Sequence, residues 1–123
     1  METLCIDETN RTPRVELNTD GNLSLIGRSL PKDSSGFFIP VLNWIKEVTA
    51  PRIHFLIHLE YINTNSAKHL FIIFQLLKDN CHVKTIQVDW YYEDDDEDSY
   101  EMGHEFESLI NIPFTYIALS EVL

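Results

Sequence analysis

An alternating run, a helical run and a second alternating run follow one another at the centre of this chain. Ile53, Phe55, Ile57, Leu59 and Tyr61 fall every second residue, with His54, Leu56, His58, Glu60 and Ile62 on the opposite face. A period of two marks a strand. From about residue 65 to 79 the spacing changes, and Ala67, Leu70, Phe71, Phe74 and Leu77 form a helical stripe. Ile86, Val88, Trp90 and Tyr92 then alternate with Thr85, Gln87, Asp89 and Tyr91. Strands joined through a helix need a crossover connection, which favours parallel neighbours. The centre of the chain therefore demands a sheet with helices packed against it.

The flanks extend this pattern. Residues 14–18 and 22–27 alternate on either side of Thr19-Asp20-Gly21, a turn signal, and read as a β-hairpin. Ile6, Thr9 and Thr12 precede Pro13 and add at most a short edge segment. Residues 31–36 read as a loop by their Pro, Asp, Ser and Gly content. Phe37, Val41, Trp44, Ile45 and Val48 then recur at helical spacing, with Pro40 placed in the first turn and Pro51 marking the end. A third helix is expected at about 100–111, with Met102, Phe106, Leu109 and Ile110 on one face and Pro113 stopping it. Residues 114–119 form the last strand. The expected fold is one small α/β (α+β) domain over residues 1–123, a mixed sheet with an N-terminal hairpin and about three helices.

Ile72, Ile73 and Leu76 widen the apolar stripe of the second helix beyond what one core-facing side needs. Either that helix is buried on two sides, or part of it meets a partner.

The net charge is −11, and more than half of it lies in one run, Glu93-Asp94-Asp95-Asp96-Glu97-Asp98. Such a chain repels phosphate backbones and anionic lipid, which argues against nucleic-acid and membrane partners. No apolar run reaches the roughly 20 residues of a membrane span, and the N-terminus lacks the features of a secretory signal. A cytoplasmic protein is expected. Cys5 and Cys81 sit in no zinc spacing and read as idle or buried thiols.

Chemistry is sparse. His54, His58 and Glu60 share one strand face, the best case for a small acid–base enzyme, but no positioned partner or third metal ligand is indicated. The acidic run lacks the alternation and the glycine of a calcium loop, and reads as a solvated loop or a docking patch for a basic surface. No glycine-rich phosphate loop is present. Neither a metal nor a cofactor is expected. The distinctive stretch is Asn63-Thr64-Asn65-Ser66, four small polar residues where the second helix begins. All are good N-cap residues. The first N–H groups of a helix lack intrahelical partners and carry the positive end of its dipole, so a phosphate placed here is held favourably.

The sequence resembles the SiaC family of biofilm-regulating phosphoproteins, similar in fold and logic to STAS-type anti-sigma-factor antagonists. The resemblance is carried by Gly27-Arg28-Ser29-Leu30-Pro31, by Phe37-Phe38 with Pro40 and Trp44-Ile45, and by residues 61–68. Trp90-Tyr91-Tyr92 leading into the acidic run and Gly103-His104-Glu105-Phe106 complete it, in order over roughly residues 9 to 119. It implies a non-enzymatic partner switch. A GHKL-type kinase phosphorylates the threonine of the Asn-Thr-x-Ser motif, which falls on Thr64, and a PP2C-type phosphatase removes the phosphate. The unmodified protein binds and activates a GGDEF diguanylate cyclase, raising cyclic di-GMP and favouring biofilm. Ile62 and Asn65 stand where relatives often carry Phe and Ser, and Lys32 where a more acidic residue is usual.

The expected site is therefore Thr64, with Ser66 as the alternative hydroxyl. Asn63, Thr64, Asn65, Ser66 and Lys68 are the expected partner-binding surface, Lys68 lying one turn from Thr64 and able to pair with its phosphate. Two other readings stand beside it: a constitutive scaffold or dimerisation module using the apolar second helix, and the acid–base enzyme.

Overall fold

The turn at Asp20-Gly21 sets the first pairing. Gly21 stands at φ +101°, and a side chain there would run into the Arg52 carbonyl. Only glycine combines that conformation with so close an approach. Its amide donates to Asn18 O at 3.0 Å, and its carbonyl accepts from the His54 N–H at 2.9 Å. The hairpin turn is thereby stitched to the neighbouring strand.

The structure is a computed structural model and describes residues 1–120. Its elements are β1 (Leu4–Ile6), β2 (Arg14–Leu17), β3 (Asn22–Ser29), α1 (Ser34–Glu47), β4 (Arg52–Ile62), α2 (Thr64–Asp79), β5 (Thr85–Glu93), α3 (Glu97–Ile110) and β6 (Phe114–Leu119). The strands form one sheet in the order β1-β2-β3-β4-β5-β6. Pairing is antiparallel from β1 to β3 and parallel from β3 to β6. The expected mixed sheet with a hairpin and three helices is what forms among the described residues.

Every parallel connection steps one strand in the same direction. Right-handed crossovers then place α1, α2 and α3 on one face of the sheet. Leu25, Phe55, Ile57 and Trp90 point into that layer and are almost fully buried. Phe74 at the centre of α2 packs on Phe55, Phe106 and Phe114 with ring centroids within 5.9 Å. Such rings are worth about 3–5 kcal/mol each against alanine.

The wide apolar stripe of α2 is thereby explained. This helix lies between α1 and α3 and over the sheet, so Leu70, Ile73, Phe74 and Leu77 are buried while Ala67, Phe71 and Leu76 pack against the core. Of the widening residues only Ile72 is exposed, at 37%. Burial on two sides, rather than a free apolar surface, accounts for the pattern.

Two helix starts differ from the sequence expectation. Residues 34–36 are the first turn of α1, not loop, because Asp33 caps it and accepts the Gly36 N–H at 3.0 Å. Pro40 consequently sits in the second turn rather than the first. Both Pro40 and Gly36 are exposed, so water reaches the carbonyl that proline leaves without a donor. Likewise α3 starts at Glu97, inside the acidic run. Asp96 caps it through the Ser99 N–H at 3.0 Å, and Glu97 and Asp98 lie against the positive helix end. Half of the supposed loop is helix start. No helix among the described residues is long and apolar enough to cross a membrane.

Candidate functional site

The strand-to-helix junction is built from β3, β4 and α2. β4 ends at Ile62, and Asn63 takes the N-cap position with extended backbone. Its side-chain oxygen accepts the Ser66 N–H at 2.8 Å, satisfying one of the orphan donors of α2. The Asn63 N–H donates to Ser29 O at 3.0 Å. Ser29 also donates through its hydroxyl to Ser66 Oγ at 2.9 Å, with both residues buried. Ser29 at the end of β3 thus clasps the start of α2 through backbone and side chain together.

Thr64 is the first helical residue and is exposed. Among the described residues its hydroxyl has no hydrogen-bond partner. Asn63 caps only the third amide of the helix, so the N–H groups of Thr64 and Asn65 are left without intrahelical acceptors. A free hydroxyl stands beside two amides without intrahelical acceptors at the positive end of a four-turn helix, where an anion is favoured. Asn65 and Lys68 are also exposed, while Asn63 is half-buried in its capping role.

Ser66 departs from expectation. It is 0% exposed and its oxygen is engaged by Ser29. It is neither a reachable alternative acceptor nor a contact for a partner; it anchors the helix. The helical period carries the reason, since Ser66, Leu70, Ile73 and Leu77 share the buried stripe. Ser29 enters the sequence reading only as part of segment 27–31, and its bond to Ser66 was missed, because no local pattern links residues 37 positions apart.

The start of α1 is tied to the same place. His69 Nδ1 lies 2.7 Å from Asn65 O and 3.0 Å from Ser34 Oγ, and its ring stacks on Phe38 at 5.1 Å. Beside the junction, at the carboxyl ends of β4 and β5, lies a cavity of about 310 Å³ lined by Tyr61, Ile62, Trp90 and Met102 with Asp96 and Asp98 at its rim. The carboxyl ends of parallel strands are where such folds receive ligands and partners. Tyr61 is 57% exposed there, with the Arg28 guanidinium 5.4 Å from its ring centre.

The residues of the enzyme reading do not converge. His54 Nε2 pairs with Asp89 Oδ2 at 2.5 Å, and Glu60 pairs with Arg28 at 3.4 Å. His58 stands 3.4 Å from Glu93 instead. Each group has its own neighbour on an open sheet face, and no group of three metal-binding side chains occurs among the described residues. Burial opposes ionisation of Asp89, but hydrogen bonds from Gln87 and His54 outweigh it and hold that carboxyl below its ordinary pKa. Cys5 and Cys81 are free, exposed thiols, so neither is buried.

Comparison with known proteins places the family and the fold. Residues 6–119 match the family described as SiaC family regulatory phosphoprotein. An uncharacterized protein of Pseudomonas aeruginosa (strain UCBPP-PA14) is 29% identical over 127 residues, covering 98% of this chain and 100% of its own length. The crystal structure of apo-SiaC from Pseudomonas aeruginosa superposes with a TM-score of 0.83 at 28% identity, over 96% of this chain and 100% of that one. A chain from the crystal structure of the diguanylate cyclase SiaD in complex with its activator SiaC, from the same organism, gives 0.84 at 28% identity, over 94% of this chain and 99% of that one.

Proposed function

This chain belongs to the SiaC family of regulatory phosphoproteins, a family of regulators rather than enzymes, and from that premise we propose that it is a partner switch operated by a phosphate on Thr64. A GHKL-type kinase adds the phosphate and a PP2C-type phosphatase removes it. The unmodified form binds and activates a diguanylate cyclase in the cytoplasm, raising cyclic di-GMP and favouring biofilm. The observation that carries the reading is the exposed Thr64 hydroxyl at the first position of α2, beside amides with no acceptor. The cyclase as partner is supported by the similarity to SiaC, which is the activator in the SiaD complex.

The switch needs no refolding. A phosphate brings about −1.5 to −2 charges and three acceptor oxygens. Those oxygens take the Thr64 and Asn65 amides and pair with Lys68 one turn on, so the modified domain stays folded. A partner that covers an uncharged Thr64 must instead desolvate a dianion, which costs several kcal/mol even when partly compensated. At about 1.4 kcal/mol per tenfold in affinity, one phosphate releases the partner.

Thr64→Ala is the direct test. Incubated with kinase and ATP, the variant is expected to incorporate no phosphate by intact-mass spectrometry, while still binding the cyclase. Full phosphorylation of Thr64→Ala would move the switch to another hydroxyl and defeat the assignment.

A further inference from the structure

The parallel strands β3 to β6 carry helices on one face only. Parallel sheets are ordinarily covered on both faces, and the described residues place no element over the second face. Register aligns Ile26, His58, Tyr91 and Ile117 side by side there, on four adjacent strands. They make a band running across the strands. Ile26 is 38% exposed, and the other three are half-buried.

Carboxylates flank this band on both sides. Asp89 lies two residues before Tyr91 on one side, and Glu93 and Glu60 lie two residues beyond the band on the other. Glu60 is paired with Arg28, and Arg14 with Asp7 and Glu16, whereas among the described residues Asp89 and Glu93 have only His54 and His58 as ion-pair neighbours, so carboxylates outnumber the arginines on this face. At the β3 end of the band is a hollow of about 510 Å³ into which Glu8, Glu60 and His58 face. His58 Nε2 is buried, 3.4 Å from Glu93 Oε1 and without a well-formed hydrogen bond.

From this arrangement we infer that the helix-free face is a second docking surface, and that its occupant is an amphipathic helix of a partner protein, apolar along one stripe and lined by lysine or arginine on both sides. The dimensions fit. Four strands at about 4.8 Å spacing span about 15 Å, the length of roughly ten helical residues. The carboxylates stand about 7 Å to either side, within reach of side chains from a helix about 10–12 Å across. Thr64 belongs to the helix layer, so this contact is independent of the phosphate.

The test uses the full chain, labelled with 15N, and a synthetic 18-residue peptide with a leucine stripe flanked by lysines, alongside its glutamate-flanked counterpart. The lysine peptide is expected to bind saturably, shifting the amides of His58, Tyr91 and Ile117, while the glutamate peptide does not bind. Glu60→Gln with Glu93→Gln is expected to weaken binding about threefold or more. Glu101→Gln with Glu105→Gln, which removes the same charge from the exposed side of α3, and Thr64→Glu are each expected to change it less. Absence of saturable binding, shifts centred on the helices, or equal losses from the two charge-matched pairs would overturn the inference.

Discussion

Thr64 and Ser66 are chemically alike and two positions apart, yet the fold gives them opposite fates. Thr64 is exposed at the first position of α2, whereas Ser66 is sealed against Ser29. Composition could not separate them, since every residue from 63 to 66 is a good cap. The helical period could, because Ser66 lies four residues before the buried Leu70. The Ser29 clasp could not be read at all, being a contact between a strand and a helix start 37 residues apart. It makes a prediction at this scale. Ser29→Ala leaves the buried Ser66 oxygen without its donor and is expected to cost about 1–3 kcal/mol in urea unfolding. Removing both hydroxyls in Ser29→Ala with Ser66→Ala is expected to recover part of that loss. Amide hydrogen exchange at Ser66 and Ala67 is expected to stay faster than in the parent, since the helix start is no longer clasped. A double variant less stable than the sum of the single losses would show that the two hydroxyls do not pair.

Helix starts were the least legible elements, and for a physical reason. Asp33 and Asp96 act as caps from within polar runs, so each polar run contains the start of its helix. The interiors of the helices and of the central strands were legible because their periods differ. At the far end of α3, Glu107 closes the element onto β6, accepting the Phe114 N–H at 2.9 Å and the Tyr116 hydroxyl at 2.7 Å. These bonds, the Phe114 amide foremost, hold the Glu107 carboxyl below its ordinary 4.5. Burial, reinforced by the Glu107 bond, pushes the Tyr116 hydroxyl above its ordinary range. A depressed carboxyl contributes stability that is complete above the unfolded value and is lost as pH falls through the folded one. Glu107→Gln is therefore expected to be less stable than the parent by about 1 kcal/mol near neutrality. That difference is expected to shrink below pH 4.5, as the parent loses its own bond. Urea unfolding across the acid range checks it, and a difference that stays constant would mean that Glu107 does not titrate as described.

The whole molecule is a sheet with helices on one face, and the proposed switch sits where β4 passes into the central helix. The topology follows from the alternation of strand and helix along the chain, and the one-sided layer from the handedness of the crossovers. A net charge of −11 shapes what the molecule meets, favouring basic surfaces. In the proposed switch the phosphate acts locally against that background, through the dehydration of one site rather than through long-range repulsion. Its effect should therefore persist when salt screens the surface charges. The decisive measurement is the affinity of the purified cognate diguanylate cyclase for unmodified protein and for protein phosphorylated at Thr64, by titration calorimetry at physiological and at high salt. The account expects the phosphate to weaken binding by about tenfold or more at both. Equal affinities for the two forms would contradict it.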